Sequence, residues 1–183
     1  MNKGSKLKKT LGNYQSPWIL SLMRLIETQS KATLIQWAAD YAREHVLPVY
    51  ESTYPEDFRP REALQNALGW LHGTVRYADA KQTNYDAHAA ATQAQAHPAA
   101  QAAARAAAHA ALTIHVPIHC LGLAFYGTAA LAYAKAGVLA EQEVYEEIAA
   151  QECAKMEAAL RGMADMHEPN PAKMDWKFWG FMQ

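Results

Sequence analysis

Runs such as Gln101-Ala-Ala-Ala-Arg-Ala-Ala-Ala and Ala87-His-Ala-Ala-Ala constrain this chain more than any other feature. Alanine has the highest intrinsic helix propensity and no side-chain entropy to lose, and it makes up about a fifth of the sequence. The runs lack the polar, proline-rich composition of a disordered linker, so they predict helix faces packed with axes toward ~8 Å apart. Trp18, Trp37, Trp70, Phe125 and Tyr126 are expected to fill the remaining space. The 183 residues carry no strand signal and no fixed-period repeat, which predicts an all-α single-domain bundle of about six or seven helices spanning 1–183. Residues 1–15 read as a basic N-terminal arm. Residues 168–183 read as an aromatic C-terminal tail that docks, because Trp176, Trp179 and Phe181 would be costly to expose.

Proline and glycine punctuate the helices. Ser16 and Pro17 start the first, which runs to about Thr28, and Ser30 caps the second. Leu34, Trp37, Ala38, Tyr41 and Val46 give the second helix an apolar stripe until Pro48 disturbs the turn. Glu51 to Arg61 is expected to be a loop, with Asp57 accepting from the free amides of a third helix that ends near Gly73. A fourth helix is predicted from Thr74 to about Ala96, where His97-Pro98 breaks it. The fifth restarts at Pro98, kinks at Pro117 and continues through Phe125 to Gly137. Leu139 to about Met166 forms the last.

A net charge of −1 gives no electrostatic case for nucleic acid. Only Cys120 and Cys153 are present, too few for a disulfide framework, which fits a reducing cytoplasm. The basic start lacks the long apolar run and small-residue cleavage site of an export signal. The apolar segment from Cys120 to Ala134 falls short of the roughly 20 residues of a membrane span and is expected to be a buried core helix.

Chemistry would concentrate between Ala103 and Gly127, where Arg105, His109, His115, Pro117 and His119 interrupt small residues. On an ideal helix His115 and His119 differ by only about 40° and form a two-ligand start for a metal ion. A third ligand would have to come from His109, Asp40 or Glu44. Buried histidines in a hydrogen-bonded network need no third ligand and are the expected arrangement, with no metal or other cofactor. Arg105 shares a face with His109 and would hold Asp40 or Glu44 in an ionic latch that fixes helix register; an anion pocket is the alternative. Asp57, Arg59 and Arg61 read as a loop clamp around Pro60. Cys120 beside His119 does not make a nucleophile and base, because neighbours on a helix point about 100° apart.

The segments Trp37-Ala-Ala-Asp-Tyr-Ala-Arg-Glu-His-Val-Leu-Pro-Val-Tyr-Glu51 and Tyr54-Pro-Glu-Asp-Phe-Arg-Pro-Arg61, with Ala-Arg-Ala-Ala-Ala-His109, His115 and His119, resemble the immunity proteins of bacterial polymorphic toxin systems, specifically the immunity-protein-five-like family. The resemblance covers most of residues 34 to 135. It implies an all-helical, cytoplasmic, non-catalytic protein that protects its maker by binding a cognate toxin, and it carries over no catalytic residues. The basic N-terminus and the tail after Glu168 depart from the family pattern. Recognition by the loop Glu51 to Arg61 is the expectation, since loops on a rigid scaffold commonly carry it. A homo-dimer through the C-terminal tail is a further expectation, and a metal-dependent enzyme built on His109, His115 and His119 is the competing reading.

Overall fold

A computed structural model describes residues 7–179, with only the backbone described for Phe178 and Trp179. Helix α1 (Pro17–Ile26) begins with proline, whose missing amide proton an N-terminal turn does not need. Helix α2 (Lys31–Tyr41) is capped by the Ser30 hydroxyl, which accepts from the Thr33 amide at 3.2 Å. Pro48 cannot donate to the carbonyl one turn back. The chain absorbs that loss in a π-helical turn (Ala42–Val46) and carries on as α3 (Leu47–Glu51), so the rod runs through the proline.

Helix α4 (Arg59–Leu71) ends at Gly73, whose φ of +75° suits a residue without Cβ. The amides of Thr74 and Val75 both donate to the Gly69 carbonyl, at 2.8 and 3.1 Å. Thr74 therefore closes α4 instead of starting the next helix, and α5 (Tyr77–Gln93) begins three residues later than its predicted start. Helix α6 (Pro98–Leu112) follows the expected break.

The predicted kink at Pro117 is a full break. Val116 is extended, at φ −132° and ψ 124°, as steric conflict with a following proline ring favours. The chain turns over residues 113–116 and resumes as a 3₁₀ turn (Pro117–His119), α7 (Cys120–Gly122), a π turn (Leu123–Gly127) and α8 (Thr128–Ala136). Helix α9 (Gln142–Met163) is the last long element, followed by a 3₁₀ turn (Trp176–Trp179). Counting contiguous stretches as one and leaving aside the C-terminal 3₁₀ turn, seven helical rods and no strand occur among the described residues. The chain is an all-α bundle. No helix among these residues is long and apolar enough to cross a membrane.

Helix α6 is the hub, packing against α2, α3, α4, α5, α7 and α8. Its alanines make this geometry available, because a rod bearing larger side chains would hold its neighbours apart. Beyond its first turn, the only α6 residues that are not buried are Gln101, Arg105, His109 and Leu112, at helical spacing on one stripe. Around the hub, Trp37, Tyr50, Leu64, Ile118 and Tyr145 are fully buried, and the Trp37 indole donates to the Met156 carbonyl at 3.0 Å. Buried Glu152 on α9 accepts from Lys135 at 2.5 Å and Lys155 at 2.8 Å. Burial alone would raise its pKa, and these two ammonium groups outweigh it and hold the carboxyl below its ordinary value.

Both ends of the described chain lie on this bundle. Leu11 is fully buried, and Tyr133 donates to the Lys8 carbonyl at 2.6 Å. At the other end the Ala172 amide donates to the Gln29 carbonyl at 2.8 Å, and the Trp176 indole donates to Glu27. The Trp179 side chain and Phe181 lie outside the described residues.

Candidate functional site

The half-buried stripe of α6 gathers the polar groups of three neighbouring elements. At its middle, His109 stacks on Tyr126 with ring centroids 4.9 Å apart and meets His88 of α5 and His119 of the 3₁₀ turn, each at 5.6 Å. This close stacking depends on Gly122, since a Cβ there would lie 2.6 Å from His109 Cβ and Cγ. Burial, then the neighbouring imidazoles and Arg105, pushes the His109 pKa down to about 3. Burial also lowers His119 to about 4 and draws His88 below its ordinary value. The stack is therefore neutral at physiological pH.

His115 lies apart from this stack. The break before Pro117 removes it from any helix shared with His119, and it sits exposed in the turn, hydrogen-bonded to the Tyr77 hydroxyl. The one-face geometry expected for His115 and His119 is thus lost, because the i to i+4 relation holds only on an unbroken helix. Among the described residues no group of three or more His, Cys, Asp or Glu side chains is arranged to hold a metal ion. Both cysteines are buried free thiols whose pKa burial raises, which disfavours the thiolate a nucleophile requires.

The ion pairs of the expected latch also fall elsewhere. Asp40 pairs with Arg43 at 2.8 Å and accepts from Gln36, while Glu44 lies 3.3 Å from the same Arg43. All these groups lie on one rod and can meet without crossing to α6. Arg105 instead places its guanidinium 6.0 Å from the Tyr126 ring centroid. In the loop, Asp57 receives two bonds from the Arg59 guanidinium, at 2.8 and 2.6 Å, one from the Arg59 amide at 3.2 Å and one from Tyr50 at 2.6 Å. The Arg59 hydrogen bonds, helped by Tyr50, hold Asp57 down at about 2 against the effect of its burial. Arg61 grips Glu51 with two bonds of 2.7 Å. The loop spends these four charges on itself.

At the C-terminal end of the stripe, Leu112 and His115 form one wall of an open cleft of about 260 Å³ whose other wall is α5. Tyr77, Lys81, Tyr85 and His88 follow at helical spacing along that wall. Tyr85 is 57% exposed, with the Lys81 ammonium 5.9 Å from its ring centroid. Beyond Tyr77 stands Trp70, with Lys31 5.6 Å from its ring. Among the described residues no carboxylate lines the cleft. Tyr77, Lys81, Tyr85 and His88 stand out little in the sequence because the apolar signal of α5 is weak; their spacing was the available clue.

Comparison with protein families gives a match over residues 24–159 to the model described as Imm-5 like putative immunity protein. Comparisons with curated proteins and with solved structures give no match.

Proposed function

Since the chain belongs to the family described as Imm-5 like putative immunity protein, matched over residues 24–159, we propose that it neutralises a bacterial toxin by direct, non-catalytic association. The observation that carries this reading is the cleft between α5 and the turn after α6. Exposed tyrosines in a concave setting are the kind of surface from which protein interfaces draw their strongest contacts, and the neighbouring lysines add charge selectivity. We place the main contact there and not on the loop Glu51 to Arg61, whose Glu51, Asp57, Arg59 and Arg61 are already paired with one another. An interface of this kind needs a rigid presenting scaffold. The alanine hub supplies it, with α5 and α6 packed side by side.

A bound partner would insert between Tyr77 and Tyr85 and bring acidic groups to Lys81 and Lys31, which favours a toxin with an acidic contact face. The test is co-expression with the toxin encoded beside the gene. Growth should be rescued, a complex should co-purify, and Tyr85→Ala or Lys81→Glu should weaken it by about tenfold or more while leaving the melting temperature unchanged. Absence of a complex with any neighbouring product would overturn the reading. Full affinity in both variants would remove the cleft from the interface.

A further inference from the structure

The opposite end of the α6 stripe carries a second site, independent of toxin binding. There residues 7–9 and α6 border a groove of about 290 Å³, lined by Leu7, Lys8, Lys9, Gln101, Arg105 and Tyr133 among others. Three of these residues are cations and none is a carboxylate. Arg105 is the informative one. It is partly buried, and among the described residues it makes no ion pair. The carboxylates that its position suggests, Asp40 and Glu44, are held by Arg43.

Glu146, which pairs with Lys8, offsets at most one of these three charges. Glu146 approaches Lys8 only at 3.8 Å, and its two oxygens already accept from the Gly12 amide at 3.1 Å and the Gln142 side chain at 2.9 Å. A groove that gathers three cations with no carboxylate among its described lining residues carries a positive field, and that field attracts an anion. Arginine's planar fork suits an oxyanion held by two parallel hydrogen bonds, and two further ammonium groups favour a multiply charged anion over a single carboxylate.

We propose that this groove binds a phosphate-bearing small molecule. Arg105 grips the phosphate oxygens, and Lys8 and Lys9 close over it from the arm. Leu7, Ala102, Pro98 and Tyr133 offer apolar surface to the organic part of the ligand, for which the groove has room beyond one phosphate group.

The experiment is calorimetric titration of the full chain, without toxin, using inorganic pyrophosphate as the probe and citrate as a polycarboxylate control. Saturable 1:1 pyrophosphate binding, weakening with added salt and tighter than citrate binding, is the expected result. Arg105→Gln should lower the affinity by about tenfold or more. Lys8→Gln with Lys9→Gln, which alters only exposed side chains, should weaken it severalfold and serves as the decisive variant if Arg105→Gln fails to fold. No saturable pyrophosphate binding, equal affinity for citrate, or unchanged affinity in the lysine double variant would each overturn the proposal. None of these outcomes bears on the toxin complex.

Discussion

Gly122 and His109 occupy each other's space: a Cβ on the glycine would lie 2.6 Å from two carbons of the histidine. The glycine is therefore what allows the rod after Pro117 to fold back close against α6, with His109 laid flat on Tyr126. Gly122→Ala should cost about 1–3 kcal/mol through overpacking and disturb the aromatic stack. Gly162 provides the contrast, because it is helical, exposed and has open space around its missing Cβ. Gly162→Ala should stabilise by roughly 0.4–1 kcal/mol. Urea denaturation of the two variants checks both signs.

The neutral imidazoles give the fold a definite acid response. His109 and His119 titrate at about 3 and 4 in the folded chain and near the ordinary 6.5 when unfolded, so below that value the unfolded state binds more protons. Their contribution is fully present above pH 6.5 and is lost as pH falls toward 4 and below. The slope should approach about 1.4 kcal/mol per pH unit for each proton involved. Unfolding free energies measured between pH 7 and 4 should show this decline, and His109→Phe, which keeps a ring on Tyr126, should flatten it.

The fold was legible in the sequence because its main cause is compositional and local. Alanine runs, Ser30, Pro17, Pro98 and Gly137 act on their own segments, and the helices lie where these residues put them. The misplaced details came from non-local choices. Whether Pro48 ends a rod or is absorbed by a π turn depends on what packs around Tyr41 and Val46, and whether Pro117 kinks or breaks depends on the space available for reversal. The site was legible only in part. Arg105, His109 and His119 do converge, but His88 and Tyr126 reach them from other elements, and the competing partner Arg43 was the signal that Asp40 and Glu44 would not serve α6.

Asp57 should prove the most sensitive position of the loop. It is the common acceptor for Tyr50, which is buried, and Arg59, which also reaches Gln93 at 2.8 Å, so it ties α3, α4 and α5 together. Removing a charged acceptor from buried or partly buried donors costs about 1–3 kcal/mol, and Asp57→Ala should fall in that range. Because its folded pKa is depressed to about 2, the carboxylate's stabilising contribution persists above pH 4 and disappears as pH falls through 2. Chemical denaturation at pH 5 and pH 2 should therefore show a large difference between wild type and variant at the higher pH and a small one at the lower.

The C-terminal segment tests how far the bundle depends on chain outside the residues that match the family. Its described part attaches to the loop between α1 and α2: the Ala172 amide bonds to Gln29, whose side chain also links Asp165 to that loop, and Ala172, Met174 and Trp176 pack against the core. Trp176 adds an indole hydrogen bond to Glu27, so its loss removes both apolar contact and a charge-assisted bond. Trp176→Ala should destabilise by about 1–3 kcal/mol, within the range for losing a half-buried aromatic together with its hydrogen bond. Truncation after Glu168 should exceed that, since it also strips the backbone bond to Gln29. Both are read by thermal denaturation combined with light scattering. A lowered melting temperature at unchanged molecular mass assigns the segment to its own bundle, whereas a lowered mass assigns it to contact between two copies.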